Sequence, residues 1–322
     1  MDLTSAVILY YLLALVIIGY LLPLVKVRGK ARWFAWLTAV GTAVFSILIS
    51  SHQTPLMRML IIVVLQLVCM KILVAVETYS GKNRLSAFQW AAFCLAWFGM
   101  RPVLFEKLPA PPLPFMQLLV RGVSRILMGV FLLYISLLMR ENWHLERFFL
   151  SQLCLLAGLS LILHFGLLNV CAAVWRMLGV DVSELFRSPY KSRSLKEFWG
   201  KRWNIAFAEM TALIAYRPLK GSIGPKKAVI ASFLLSGLLH EIAISFPVMT
   251  GFGLPMIYFG IHAVAMQLED SKFVQRILGH KVLSRVWVMA FVLVPLPLLF
   301  HAGFIQGVLI PLRTLICDVT LW

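Results

Sequence analysis

Long runs of apolar residues, separated by short basic segments, are the main pattern of this 322-residue chain. A helix needs about 20 apolar residues to cross roughly 30 Å of hydrocarbon. Backbone polar groups must be paired inside lipid, and the alternating pattern of a membrane barrel is missing, so helices are the predicted spanning elements. Eight stretches are long enough: Leu3–Val25, Trp33–Ile49, Leu56–Val76, Leu118–Leu138, Phe148–Trp175, Ala228–Phe246, Phe252–Leu268 and Val286–Phe304.

Three further segments are apolar but short or interrupted. Leu85–Met100 and Ile205–Tyr216 predict helices that enter the membrane or the protein interior without crossing. Ile305–Trp322 is a candidate ninth crossing, although its Pro311 and Arg313 weaken that prediction. The pattern shows no internal repeat and no domain linker. We therefore predict a single domain over residues 1–322, an all-α polytopic membrane protein of about eight to nine spanning helices with short re-entrant or amphipathic helices.

Charge adds an orientation to this picture. The chain is 61% hydrophobic and 13% charged, with a formal net charge of +17. No exposed basic domain is visible, so we expect no nucleic-acid partner and instead expect basic loops against anionic lipid. With the N-terminus outside, nearly all basic residues fall on the cytosolic side if both short segments return to that side. The exceptions are Arg58, Lys71, Arg140, Arg147 and Arg313.

His240 has the most unusual surroundings of the histidines. It lies about 20 Å along a helix from Lys227, which places it deep in the membrane next to Glu241. Ionisable groups in hydrocarbon are costly and mark functional sites by default. Ser236 lies one turn back on the same face, and burial keeps an imidazole neutral and able to accept a proton. A structural histidine, hydrogen-bonded to a neighbouring helix, is the alternative interpretation.

Metal chemistry has little support in the pattern. The histidines are scattered, the five cysteines are far apart, and Ile244 stands where a zinc-protease motif starting at His240 needs its second histidine. Haem ligation by His164 and His262 stays open but has no supporting pattern. We therefore expect no metal and no cofactor.

The segment Ser194–Asn204 combines aromatic and basic residues. At helical spacing one face is apolar and largely aromatic: Leu195, Phe198, Trp199 and Trp203. This pattern is typical of an amphipathic helix in the membrane interface, and Ser194 with Glu197 has capping-box spacing. Basic residues in and before the segment could bind phosphates, although Lys201 could instead pair with Glu197. The candidates are Arg187, Lys191, Arg193, Lys196, Lys201 and Arg202.

Together these segments resemble the membrane-bound O-acyltransferase family, and most closely its wax synthase branch. Three motifs carry the resemblance in the family's order: Phe198-Trp199 with Trp203-Asn204, then Tyr216-Arg217-Pro218, then Ser236-Gly237-Leu238-Leu239-His240-Glu241. They lie within residues 194–247, and the N-terminal half matches in hydropathy alone. At 322 residues the chain is shorter than the diacylglycerol and sterol enzymes of the family, so helices that shape an acceptor pocket could differ.

The resemblance implies a many-helix fold with an internal tunnel, to which acyl-CoA comes from the cytosolic side. It also implies that His240 is the general base and that Asn204 positions or polarises the reacting groups. Supporting roles fall to Glu241, Ser236, Trp203 and Trp199. Arg187, Lys191, Arg193, Lys201 and Arg202 are the expected contacts for the CoA phosphates.

The predicted function is acyl transfer from acyl-CoA to the hydroxyl of a lipid-like alcohol, with membrane lipids as further partners. Within the family, an acetyltransferase of a terpenoid, sterol or other secondary metabolite is the alternative. A polytopic transporter would explain the spans but not the aromatic and basic segment, and it would favour repeated broken helices. A scaffold without activity also stays open. The expected compartment is the endoplasmic reticulum or the bacterial inner membrane, and the oligomeric state is undetermined.

Overall fold

The computed structural model describes residues 3–79, 81–82, 84–139 and 145–320, and these residues contain helices and connecting segments without any β-strand. The predicted outside positions of Arg140 and of the Arg147 side chain lie outside the described residues, as does the end of the tail at Trp322.

The α-helices follow in chain order. They are α1 Leu3–Leu21, α2 Arg28–Ile49, α3 Pro55–Thr78, α4 Ala87–Ala96, α5 Met116–Leu138, α6 Leu145–Ser160, α7 Leu168–Met177, α8 Leu195–Glu197, α9 Ile205–Thr211, α10 Arg217–Ile223, α11 Pro225–Val248, α12 Leu254–Leu268, α13 Lys272–Gly279, α14 Lys281–Leu293, α15 Leu296–Leu299, α16 Ala302–Phe304 and α17 Ile310–Thr320. Wider π-helical turns cover Leu161–Leu167, Phe198–Arg202, Ala212–Tyr216 and Ile305–Leu309. Tighter 3₁₀ turns cover Leu22–Leu24, Pro102–Phe105 and Pro189–Lys191.

Seven helical runs of the described residues are long and apolar enough to cross a membrane. They are Leu3–Leu24, Arg28–Ile49, Pro55–Thr78, Met116–Leu138, Leu150–Met177, Pro225–Val248 and Lys281–Leu299. They correspond to seven of the eight predicted spans, and the all-α polytopic membrane fold is confirmed. This is an integral, multi-pass membrane protein.

The predicted span Phe252–Leu268 is shorter in the structure. Its helix, α12, has 15 residues and begins only at Leu254, because Gly251 and Gly253 adopt positive φ in the preceding turn. Fifteen residues of helix cover about 22 Å, less than the roughly 30 Å of a hydrocarbon core. The segment predicted as Leu85–Met100 contains α4, whose 10 residues are likewise too few for a crossing.

Helix α3 lies at the centre of the bundle. Its second half is buried on every face, as a helix that is apolar all round requires, and it packs against α1, α2 and α11. Lys71 lies within this buried half and is 0% exposed. Its ammonium group donates to the carbonyls of Phe93 at 2.8 Å and Gly99 at 2.9 Å. The charged side chain thereby ties α3 to the short α4 and the segment after it.

Packing of α11 brings the two predicted motif segments together. This helix carries His240 and packs against α12, α3, α9 and the turn Ala212–Tyr216. Because α9 follows directly on the turn Phe198–Arg202, the aromatic segment lies beside the histidine helix.

The aromatic segment itself is a short helix, Leu195–Arg202, whose last turn is widened. Its predicted apolar face packs partly on protein: Leu195 and Phe198 are buried against Ala265 of α12 and Val288 of α14. The carboxylate of Glu269, at the end of α12, accepts hydrogen bonds from the first free backbone N–H groups of this helix, so the helix end is satisfied by a tertiary contact.

Of the contacts predicted for Glu197, the hydrogen bond from its backbone to Ser194 is present, but the two predicted for its carboxylate are not. The Ser194 hydroxyl accepts from the Glu197 backbone N–H at 3.0 Å, but the Glu197 carboxylate accepts from the N–H of Arg193 instead of closing a capping box. Glu197 also pairs with Arg202 at 2.6 Å, not with Lys201. The physical reason is the widened turn, in which the Trp203 N–H bonds to the Phe198 carbonyl five residues back. In such a turn the side chain five residues on, here Arg202, lies beside Glu197, where a regular α-helix would place the side chain four residues on.

Candidate active site

An apolar cavity of about 660 Å³ lies between the helix Leu195–Arg202, α6, α9, α11, α12 and the α14–α15 region. Five predicted site residues line it together: Trp199, Trp203, Asn204, Ser236 and His240. Most of the remaining lining is aliphatic or aromatic. The structure thus brings residues from two distant motif segments to one cavity of the helical bundle.

The hydrogen bond of His240 decides which of its nitrogens can act as a base. Nδ1 lies 2.7 Å from the backbone carbonyl of Ser236. A carbonyl can only accept, so Nδ1 carries the proton and the neutral ring keeps its lone pair on Nε2. The ring packs against Phe259 at 4.4 Å and Phe207 at 5.4 Å between centroids. The imidazole is therefore oriented by its own helix and by two aromatic neighbours.

Asn204 begins α9 instead of ending the preceding helix. Its backbone is left-handed, with φ 43° and ψ 62°, a conformation that asparagine tolerates better than most residues. The side-chain oxygen accepts the backbone N–H of Phe207 at 3.2 Å, which caps α9. Because the cap uses the oxygen, the amide nitrogen is left to donate a hydrogen bond, as the prediction of a polarising role requires.

The two tryptophans form a rigid part of the cavity wall. Trp203 stacks on Phe198, with centroids 5.6 Å apart and planes at 11°, and meets Phe186 edge-on at 5.0 Å. The ring centroid of Trp199 lies 5.8 Å from that of Phe259, and the Phe259 ring in turn contacts His240. Their contribution is the shape of the cavity and the support of the ring that touches the histidine.

Glu241, in contrast, does not line the cavity. It is 7% exposed, and one carboxylate oxygen accepts the backbone N–H of Gly253 at 2.8 Å. This contact holds the turn between α11 and α12. The structure therefore shows a structural contact for Glu241, and its supporting role in the reaction stays a prediction.

Two polar clefts adjoin the cavity. One, of about 400 Å³, is lined by Arg101, Arg187 and Lys201 among others, and the second, of about 420 Å³, by Arg101 and Arg217. Gly200 lines both clefts and the apolar cavity. Arg217 is the middle residue of the Tyr216-Arg217-Pro218 motif, to which the sequence assigned no role. Arg101 lies in another segment of the chain, and nothing in its local sequence distinguishes it from other loop arginines.

Two other predicted phosphate contacts form salt bridges with neighbouring carboxylates. Lys196 pairs with Asp270, and this hydrogen bond holds the pKa of the Asp270 carboxyl below its usual value. Arg202 pairs with Glu197; although partial burial acts to raise the pKa of that carboxyl, hydrogen bonds from Arg193 and Arg202 hold it below its usual value.

The remaining two candidates also lie away from the clefts. Arg193 donates to the Gly279 carbonyl at 3.4 Å, and Lys191 lies 5.8 Å from the ring of Tyr190. Of the five predicted CoA contacts, Arg187 and Lys201 line a cleft.

His164, for which the sequence suggested only haem ligation, is a cavity residue. It lines the apolar cavity, where its Nδ1 lies 3.2 Å from the hydroxyl of Ser160. Its ring contacts Phe186 at 4.7 Å and Trp203 at 5.9 Å. His262, the other residue of that hypothesis, is fully buried and donates from Nδ1 to the carbonyl of Tyr258.

Comparison with known proteins finds relatives for the motif region. Residues 182–259 match the Membrane bound O-acyl transferase family, which confirms the resemblance seen in the motifs. A long-chain-alcohol O-fatty-acyltransferase of Simmondsia chinensis is 33% identical over 73 residues, covering 20% of this chain and 21% of that protein. The probable long-chain-alcohol O-fatty-acyltransferase 7 of Arabidopsis thaliana is 29% identical over 144 residues, covering 41% of this chain and 42% of that protein. Acyl-CoA–sterol O-acyltransferase 1 of the same plant is 33% identical over 78 residues, covering 22% and 23%. The match therefore spans less than half the length of each of these relatives.

Proposed function

We propose that this chain, which resembles the membrane-bound O-acyltransferase family through residues 182–259, moves an acyl group from acyl-CoA to the hydroxyl of a lipid-like alcohol. The observation that carries the proposal is the meeting of His240 and Asn204, 36 residues apart in sequence, at one apolar cavity. A base with a free lone pair and an amide donor are the two groups that acyl transfer to a hydroxyl requires.

His240 would act as the general base through Nε2. It takes the proton of the alcohol as the oxygen attacks the thioester carbonyl, and the tetrahedral intermediate then expels CoA as a thiolate. The proton on the imidazolium passes to that thiolate, so the histidine returns to its neutral state. The amide nitrogen of Asn204 would donate to the oxygen on which negative charge develops. This sequence needs no acyl-enzyme and no cofactor besides acyl-CoA.

The two polar clefts suit the nucleotide part of acyl-CoA. Their arginine and lysine side chains can pair with phosphates. Arg101 forms a salt bridge with Glu209 at 2.6 Å, and its remaining N–H groups can still bind an anion. Gly200 connects them with the apolar cavity, which suits the acyl chain. By the positive-inside rule these clefts face the cytosol, where acyl-CoA is made.

The acceptor class rests on the cavity wall and on the relatives. Aliphatic and aromatic side chains dominate the lining, so an alkyl or ring-bearing alcohol can be desolvated there. The names of the relatives include long-chain alcohols and a sterol as acceptors. The proposal therefore takes a hydrophobic alcohol as the acceptor class.

The test is an acyl-transfer assay on the purified protein in lipid nanodiscs. With palmitoyl-CoA and 1-hexadecanol, we expect CoA release and formation of the ester. Because a general base contributes about 10²–10⁴-fold, His240→Ala should lose that much activity. His240→Gln should fail similarly, because an amide can accept a hydrogen bond from the hydroxyl but cannot take its proton.

Folding is controlled by comparing the thermal stability of each variant with that of the wild type. CoA release that does not depend on an alcohol would indicate hydrolysis instead of transfer. A His240→Ala protein with full ester formation would overturn the proposed mechanism.

A further inference from the structure

The apolar cavity contains a second polar position, besides His240 and Asn204, that the proposed chemistry does not use. Ser160 ends α6 and His164 lies on the widened turn Leu161–Leu167, and both side chains line the cavity. Widened helical turns of this kind are frequent at functional sites. A histidine within a membrane-spanning segment is likewise a functional-site hypothesis, because lipid and apolar side chains offer it no hydrogen bonds.

Hydrogen bonding distinguishes this pair from the other serine and threonine hydroxyls of the cavity. Thr211, Ser232 and Ser236 each donate to a backbone carbonyl of their own helix, at 3.0, 2.9 and 2.9 Å. Ser160 and His164 instead bond to each other, through Oγ and Nδ1 at 3.2 Å. The Nε2 of His164 has no hydrogen-bond partner among the described residues. This nitrogen is therefore free to bond with a group of a bound ligand.

The second position lies on a different part of the wall from the proposed reaction centre. His240 packs against Phe207 and Phe259, whereas His164 packs against Phe186 and Trp203. A saturated fatty alcohol has one oxygen, which the reaction places at His240. Its remaining chain is wholly apolar and would cover His164 without satisfying it, and an unpaired polar group in an apolar site costs free energy.

We infer that Ser160 and His164 form a subsite for a second oxygen of the acceptor, so that the preferred substrate is a hydrophobic alcohol with a further hydroxyl or carbonyl group. This inference rests on the proposed function, because it takes the reacting hydroxyl to lie at His240. Either tautomer of His164 serves: Nε2 donates to the second oxygen when Ser160 donates to Nδ1, and accepts from a second hydroxyl when Nδ1 donates to Ser160.

The acceptor is favoured over the donor as the occupant of this subsite. The pantetheine arm of acyl-CoA also carries polar groups, but in the proposed arrangement it comes through the polar clefts. Ser160 and His164 line the apolar cavity and neither cleft. The residues that the cavity shares with the clefts are Gly200, Ala208 and Ala212, which belong to the helix Leu195–Arg202, to α9 and to the start of the turn Ala212–Tyr216.

The experiment compares two acceptors of equal chain length, 1-hexadecanol and a hexadecanediol whose second hydroxyl lies further along the chain (the best accepted of the 1,4-, 1,8- and 1,12-isomers), at saturating palmitoyl-CoA in nanodiscs. We expect the wild type to show a kcat/KM about tenfold higher for the diol, the size of one good hydrogen bond. His164→Phe keeps a ring against Phe186 and Trp203, and it should remove this preference by lowering kcat/KM for the diol and raising it for hexadecanol, whose chain then no longer covers an unpaired nitrogen. Ser160→Ala should reduce the preference in part, and His280→Phe, at an exposed histidine outside the cavity, should keep it.

Three results would overturn the subsite: equal rates of the wild type with both acceptors, an equal loss with both acceptors in His164→Phe, or a change confined to the KM of palmitoyl-CoA.

Equilibrium binding of radiolabelled diol without acyl-CoA separates this inference from the proposed function. Diol that binds about tenfold tighter than hexadecanol to the wild type, but not to His164→Phe, supports the subsite even where no ester forms. An absence of both ester formation and selective diol binding overturns both.

Discussion

At the scale of single residues, the proposed mechanism gives Asn204 two purposes, one for each end of its amide. Its oxygen caps α9 through the Phe207 N–H, and its nitrogen is the proposed donor to the reacting oxygen. Substitution by aspartate separates these purposes, because a carboxylate still accepts the capping hydrogen bond but cannot donate to an oxyanion. We expect Asn204→Asp to melt within a few degrees of the wild type while kcat falls about 10²–10³-fold, as for loss of an oxyanion donor.

Asn204→Gly is the matched control for the backbone. Glycine accepts the left-handed φ of 43° and is tolerated at an N-cap, so this variant should melt close to the wild type but, without the amide donor, should lose rate. Circular dichroism melts in detergent and ester formation in nanodiscs provide the two measurements. An aspartate variant with wild-type kcat would show that the amide nitrogen takes no part in the reaction.

The cleft residues Arg187 and Lys201 support a second prediction. Phosphate contacts remote from the reacting carbonyl bind ground state and transition state alike, so their loss raises KM more than it lowers kcat. We expect the double variant Arg187→Gln, Lys201→Gln to raise the KM for palmitoyl-CoA at least tenfold, with kcat changed by less than threefold. The neighbouring Lys191→Gln, which removes a charge outside the clefts, is the control. An unchanged KM in the double variant would place the CoA phosphates elsewhere.

At the scale of helices, Lys71 shows how a costly charge can position a short element. Its two hydrogen bonds satisfy the carbonyls of Phe93 and Gly99, one near the end of α4 and one in the segment that lines a polar cleft. Lys71→Met removes the donor but fills much of the same volume. Each buried carbonyl left unpaired costs about 1–3 kcal/mol, so we expect a clear fall in melting temperature. Lys30→Met, at an exposed lysine of α2, should melt like the wild type.

An unchanged melting temperature in Lys71→Met would mean that water or a rearranged neighbour replaces the ammonium group. The substitution should also destabilise the cleft locally, because Gly99 lines it together with Arg101 and Lys201. Limited proteolysis of the segment after α4 can detect this local effect separately from global unfolding.

At the scale of the whole molecule, Gly200 is the point where the apolar cavity and both polar clefts meet. A Cβ built at this position meets nothing within 4 Å, so a larger side chain fits without strain but occupies the passage. We expect Gly200→Leu to fold normally and to lower kcat/KM for palmitoyl-CoA at least tenfold.

Its control is Gly41→Leu, an equally open glycine on α2, far from the cavities in sequence and exposed on its helix. A small thioester, palmitoyl-N-acetylcysteamine, provides the second arm, since it lacks the nucleotide and can reach the cavity from the lipid. Gly200→Leu should use it nearly as well as the wild type. Equal losses with both donors would indicate damage to the reaction centre instead of a blocked passage.

Several features of the fold and the site could be predicted from local sequence. Apolar runs of sufficient length predict spanning helices because lipid leaves the backbone no other partners, and seven such runs are present as helices. The resemblance to the acyltransferase family implied that His240 and Asn204 are partners, and both residues line one cavity. The orientation that puts the basic loops in the cytosol stays a prediction. In contrast, the shortened α12 depends on a glycine turn that an apolar count cannot register.

The chain by itself determined which segments are helical, which face of each is apolar and which side chains can exchange a proton. Those properties depend on residues within a few turns of one another. The tertiary structure alone decided that Arg202 replaces Lys201 beside Glu197, that Glu241 holds a turn away from the cavity, and that Arg101 joins Arg187 in one cleft. Each of these depends on a widened turn or on contacts between segments far apart in sequence. Their geometry follows from how the helices pack, which no local pattern encodes.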